Sequence, residues 1–156
     1  MILLNLPILT TSLTINSSNM KPQQEIKSKE YANEYELHRA VVQWLTLQYP
    51  HILFRSDYGG VRLPIGLAKK MKALNPLRAY PDLFIIEKNR HYNGLFIEIK
   101  LSETKFFKKN GEYSTPHIKE QAEYLLELGK RGFKAVFGLG FESIKHTITT
   151  YFNYSK

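Results

Sequence analysis

The chain contains no cysteine. Disulfides, thiolate-bound zinc and thiol nucleophiles are thereby excluded, and the absence suits a reducing compartment. A histidine metal motif is missing too. The five histidines (His38, His51, His91, His117 and His146) are scattered, and no two stand four apart. No Gly-x-x-x-x-Gly-Lys loop is present, which excludes a P-loop nucleotidase. No segment approaches the ~20 apolar residues of a membrane span. The apolar stretch 2–9 is interrupted by Pro7 and lacks a basic segment before it, which argues against a secretory signal. No internal repeat is visible. The expectation is a cytoplasmic protein without a membrane partner.

What the chain has is basic charge and enough apolar mass for one core. It has 156 residues, 43% hydrophobic and 13% aromatic, a size suited to one domain. Its 22 Lys and Arg against 14 Asp and Glu give a net charge of +8. Residues 1–28 are polar, rich in Ser, Thr and Asn and without periodicity, and read as a flexible tail; residues 29–156 carry the pattern of a folded domain. The basic residues are grouped. Arg55, Arg62, Lys69, Lys70, Lys72 and Arg78 form one cluster, and Lys105, Lys108 and Lys109 a second. Tyr58, Phe106, Phe107 and Tyr113 are interleaved with them. Basic charge with aromatic rings suits a polyanion such as DNA, bound with steep salt dependence.

Between the two clusters lies the most specific stretch. Pro81-Asp82 opens an apolar run, a polar turn ending in Asn93-Gly94 follows, and Gly94-Leu95-Phe96-Ile97-Glu98-Ile99-Lys100 completes a hairpin signature. Alternate strand residues share a face, so Phe96, Glu98 and Lys100 point one way and Leu95, Ile97 and Ile99 the other. With the hairpin centred near His91, Asp82 falls opposite or diagonal to Glu98 and Lys100, roughly 5 Å or about 7–8 Å away between Cβ atoms. Two carboxylates so placed repel unless a cation lies between them. Mg²⁺ suits that gap, because it takes one or two carboxylates and keeps several waters. Lys100 would stand beside it, able to orient a water or stabilise charge on phosphate. Glu-x-Lys by itself describes any solvated strand edge; paired with Asp82 in a basic chain, it points to a nuclease.

The remaining pattern gives the order αβ(α)ββαβα. A helix is expected over 30–49, with Leu37, Val41, Trp44, Leu45 and Gln48 on one face and Glu34 extending it. A short strand over 52–56 and a basic helix after Pro64 follow. Polar residues 102–115 read as a substrate-facing loop. Thr115-Pro116 starts a helix with Ile118, Ala122, Leu125, Leu126 and Leu128 as its apolar face. A buried strand over 133–139 and a final helix over 141–151 complete the chain. This order suits a mixed β-sheet flanked by α-helices.

These residues resemble a known signature. Pro81-Asp82 with Glu98-Ile99-Lys100 is similar to the PD-(D/E)XK nuclease motif. Tyr80-Pro81-Asp82-Leu83, Gly94-Leu95-Phe96-Ile97-Glu98-Ile99-Lys100, and Gln121 opening the helix toward Leu128-Gly129 resemble the VRR-NUC branch of that superfamily over residues 31–153. Tyr80 departs from the glycine that branch often has before Pro-Asp. The resemblance implies an α/β restriction-endonuclease-like core and a metal-dependent DNA endonuclease acting on replication, repair or recombination intermediates, in the manner of a phage or mobile-element product. It implies Mg²⁺ (or Mn²⁺) held by Asp82, Glu98 and the Ile99 carbonyl, a water positioned by Lys100, and help from Gln121. It also implies a glutamate on the first helix, matched by register with Trp44-Leu45 to Glu34 rather than Glu36. Related standalone nucleases often pair as homodimers. A non-catalytic nucleic-acid-binding module of the same fold is the alternative.

Overall fold

A computed structural model describes residues 30–57, 64–75 and 79–153. The readings made for the N-terminal tail, Tyr58, Arg62 and Arg78 lie outside the described residues. The elements run α1 (Glu34–Gln48), β1 (Phe54–Ser56), α2 (Ile65–Leu74), β2 (Leu83–Ile85), β3 (Leu95–Lys100), α3 (Pro116–Lys130), β4 (Lys134–Leu139) and α4 (Gly140–Asn153).

The strands form one mixed sheet in the order β1-β2-β3-β4. The first two junctions are antiparallel and β3 pairs with β4 in parallel. A parallel neighbour needs a crossover, which α3 supplies. Leu95, Ile97 and Ile99 turn to one face and pack with Leu37, Val41 and Leu45 of α1 and Ile144, Ile148 and Tyr151 of α4. The opposite face carries Phe84 and Phe96, stacked at 4.0 Å, with Phe133 edge-on to both. There α3 lies over the sheet, its Tyr124 against Tyr80 and Tyr80 against Phe96. Helices therefore cover both faces, as the sequence pattern predicts.

Several boundaries differ from the expected ones for local reasons. The first helix begins at Glu34 because Asn33 caps it, accepting from the Glu36 N–H at 3.0 Å while Glu36 accepts from the Ala32 N–H at 3.2 Å. Gln48 is exposed rather than on the inward face. Leu126 is 62% exposed, and Gln121 takes the buried place on α3 beside Ile118, Leu125 and Leu128. The strand expected to be buried over 133–139 begins at Lys134 and is the sheet's outer strand, so most of it is only half-buried.

The hairpin reverses over 89–92, in keeping with a centre near His91, and Asn93-Gly94 leads out of the turn into β3. Asn89 accepts from the His91 and Tyr92 N–H groups, and its own N–H donates to the Tyr92 carbonyl. Gly94 serves close packing: a Cβ there would stand 2.9 Å from both the Ile85 carbonyl oxygen and the Phe84 ring. Leu83 pairs with Ile97 and Ile85 with Leu95. One more step of that register sets Asp82 squarely against Glu98.

Candidate active site

The site forms where β2 begins and β3 ends. On β3 the odd-numbered residues occupy the core, so Phe96, Glu98 and Lys100 necessarily share the face under α3. Glu98 is 3% exposed and Lys100 7%. Asp82, just before β2, hooks onto the end of β3: its Oδ2 accepts the Ile99 N–H at 2.9 Å. A strand residue's N–H and C=O leave by the same side, so the Ile99 carbonyl also faces the Asp82 edge.

Glu98 is the hub. Its Oε1 accepts from Lys100 Nζ at 3.0 Å and from Gln121 Nε2. Lys100 Nζ lies 3.7 Å from Glu34 Oε1, which comes from the first turn of α1. The Glu36 side chain turns back to the helix cap and takes no part. The five side chains Glu34, Asp82, Glu98, Lys100 and Gln121 thus come together from α1, the start of β2, β3 and α3.

Burial dominates the electrostatics. It raises Asp82 from 3.8 to about 6, although the Ile99 N–H and Lys100 pull the other way. Burial, then repulsion from Asp82, raises Glu98 from 4.5 to about 7, against the pull of Lys100. Burial works to lower the Lys100 ammonium, but Glu98, Glu34 and Asp82 outweigh it and the net displacement is upward. Two acids with a strained charge and one ammonium between three carboxylates is an arrangement that favours an added cation.

The donor set fits a hard divalent ion. The bonds above engage one oxygen of each acid; among the described residues none reaches Asp82 Oδ1 or Glu98 Oε2. Gln121 Oε1 is buried with no hydrogen-bond partner among the described residues. No cluster of three His, Asp or Glu side chains ready for a metal occurs among the described residues. Two carboxylates and a backbone carbonyl are the sparse, all-oxygen environment that Mg²⁺ accepts while keeping its waters.

The basic residues are placed less uniformly. Arg55 projects from β1 in a two-pronged pair with Asp57, at 2.8 and 3.3 Å. Lys69, Lys70 and Lys72 lie on α2, every residue of which is exposed. Lys105, Lys108 and Lys109 are exposed in the loop after Lys100, with Lys108 3.4 Å from Glu112. Asp57 and His38 escaped the sequence reading. The Asp57 N–H donates to the Asp82 carbonyl at 2.8 Å, fixing the entry to β2. His38, buried, meets Ser56 Oγ at 2.7 Å. The signal for His38 was its place one turn after Glu34; for Asp57 none existed before β1 was known to pair with β2.

No family model matches the chain, and no curated protein matches it. Among solved structures it is similar to one described as a VRR_NUC domain protein, at 27% identity and a TM-score of 0.55. The match covers 79% of this chain and 90% of the other.

Proposed function

We propose that the chain carries a VRR-NUC domain, a domain of nuclease type, and that it is a metal-dependent endonuclease hydrolysing DNA phosphodiesters. The observation that carries the reading is the opposition of Asp82 and Glu98 at the open end of the sheet, with Lys100 and Gln121 converging on Glu98. Asp82, Glu98 and the Ile99 carbonyl would hold Mg²⁺ or Mn²⁺. When bound, such an ion polarises a water and offsets charge on the transferring phosphoryl group.

The chain's own groups supply the rest. Lys100 holds a fixed positive charge where a phosphate oxygen gains negative charge, and its ammonium can orient the incoming water. Glu34 keeps the ammonium aimed outward from β3. Gln121, anchored by α3, holds Glu98 in one rotamer. Attack in line with the leaving oxygen yields a 5′-phosphate and a 3′-hydroxyl. Exposed lysines on α2 and after β3 hold the backbone, and a homodimer would offer one site to each strand. Such a substrate implies the cytoplasm of a bacterial cell or a phage-infected host, at DNA intermediates of replication or repair.

The test is incubation of labelled linear and branched oligonucleotides with and without Mg²⁺ or Mn²⁺. Asp82→Asn keeps an acceptor for the Ile99 N–H, so it should fold, bind DNA and cut nothing. Undiminished cutting by that variant, or shifted but uncut DNA with the unaltered protein under every condition, would sink the proposal.

A further inference from the structure

The loop between β3 and α3 is built as a small arm, which the nuclease chemistry does not require. Phe107 and Tyr113 form an isolated antiparallel bridge. The turn between them is closed by the Lys108 N–H on the Glu112 carbonyl and by Gly111, whose φ of +83° favours glycine. The base of the arm is fixed. Phe106 packs on Phe137 at 4.7 Å, and its carbonyl accepts the Ser114 N–H at 2.8 Å. Phe137 pairs with Glu98 in register, so it lies on the same face of the sheet, one strand over. The arm therefore rises beside the site, between the strand that carries Lys100 and the helix that carries Gln121.

Its outer surface is unusual. The Phe107 ring is 59% exposed and lies 5.1 Å from Tyr113 at a shallow 31°. Tyr113 is half-buried against the arm, and Phe107 faces outward. Lys105, Lys108 and Lys109 are exposed beside Phe107 in the chain; Lys108 pairs with Glu112 at 3.4 Å, and among the described residues neither Lys105 nor Lys109 has an ion pair. An apolar patch for a protein partner would gain little from two unpaired lysines beside it. Stacking on a nucleobase with phosphates alongside uses both features.

We propose that the Phe107–Tyr113 arm is a stacking platform for an unpaired base next to the bond being cut, so that the preferred substrate is DNA whose strands part at that point rather than continuous duplex. This rests on the nuclease reading for its location, but its binding can be measured apart from cleavage. In a duplex every base face is already stacked, so the ring has no partner there; at a fork or junction the first unpaired base offers its face.

The experiment compares two labelled probes of equal length, a continuous duplex and a duplex ending in splayed arms with 2-aminopurine at the first unpaired position. Binding is measured in EDTA and cleavage with Mn²⁺, for the unaltered protein, Phe107→Ala and Phe107→Trp. The unaltered protein should favour the splayed probe and quench its 2-aminopurine. Phe107→Ala should weaken splayed binding roughly 5- to 150-fold and leave duplex binding unchanged; Phe107→Trp should retain the preference and the quenching. Equal loss on both probes, or no loss on either, overturns the proposal. Absence of cleavage with an aromatic-dependent splayed preference would support the platform and remove the nuclease reading. Cleavage of both probes alike by all three proteins would do the reverse.

Discussion

Raising the pH should destabilise the metal-free protein, and the site sets the size of the effect. Burial lifts Asp82 to about 6 and Glu98 to about 7 in the folded state. The unfolded chain returns both to ordinary carboxylate values, so between about pH 4 and pH 7 the folded state binds more protons. The stability these acids contribute is complete below their unfolded values and is lost as pH rises through 6 and 7. A tenfold change in an acid's ionisation constant corresponds to about 1.4 kcal/mol. Two acids each weakened roughly a hundredfold, sharing one mutual repulsion, amount to about 3–5 kcal/mol. His38 acts in the opposite sense. Burial lowers its pKa, so its contribution grows as pH rises through the unfolded value near 6.5. A comparison is therefore needed. Urea unfolding followed through Trp44, at pH 5 and pH 8 in EDTA, spans the larger part of that change and should show the unaltered protein losing about 2–4 kcal/mol more than Asp82→Asn/Glu98→Gln, which keeps His38. Excess Mn²⁺ at pH 8 should raise the midpoint of the unaltered protein and leave that of the double variant unmoved. Parallel pH slopes for the two proteins would refute the reasoning.

Two further outcomes are expected. Lys100→Met leaves Glu98 buried without its cation; urea unfolding at pH 8 should show a loss of about 3–5 kcal/mol, smaller at pH 5 where Glu98 is protonated, and cleavage should fall about 100-fold or more in oligonucleotide assays. Gly138→Val puts a branched side chain where a Cβ would already lie 2.5 Å from Ile144 Cγ1 and 2.8 Å from Ile97 Cγ2; thermal unfolding should register a loss of about 1–3 kcal/mol, through the β4–α4 packing and not the site.

The site was the most legible part of the sequence because strand parity is a strong constraint. Once 94–100 is a strand, Glu98 and Lys100 must share a face, and a hairpin must bring Asp82 near them. The register was legible to within about one residue, since a hairpin centred near His91 sets Asp82 opposite or diagonal to Glu98; the Asn89 side-chain bonds that build the turn were not. Helix periodicity found α1 and α3, but it placed Leu126 inward and passed over Gln121 as a core position. Hydrophobicity scales cannot register a polar residue buried for the sake of one carboxylate. The edge position of β4 was hidden for a similar reason: an apolar run reads alike whether a strand has one neighbour or two. The segment 102–115 read as a polar, substrate-facing loop with interleaved aromatic rings, but its built arm was not legible, since one aromatic bridge and one positive-φ glycine leave no periodic trace.

The hydrogen bond from the Ile99 N–H to Asp82 has an evolutionary corollary. That carboxylate stands in for the backbone acceptor that β2, starting two residues after the register partner of Ile99, does not provide. On the proposed function, one side chain is thus mason and chemist at once. A lineage that gave up turnover could discard the negative charge cheaply, by drifting to asparagine, but not the shape. Inactive descendants of this chain should therefore be recognised by an amide at position 82 far more often than by an alanine.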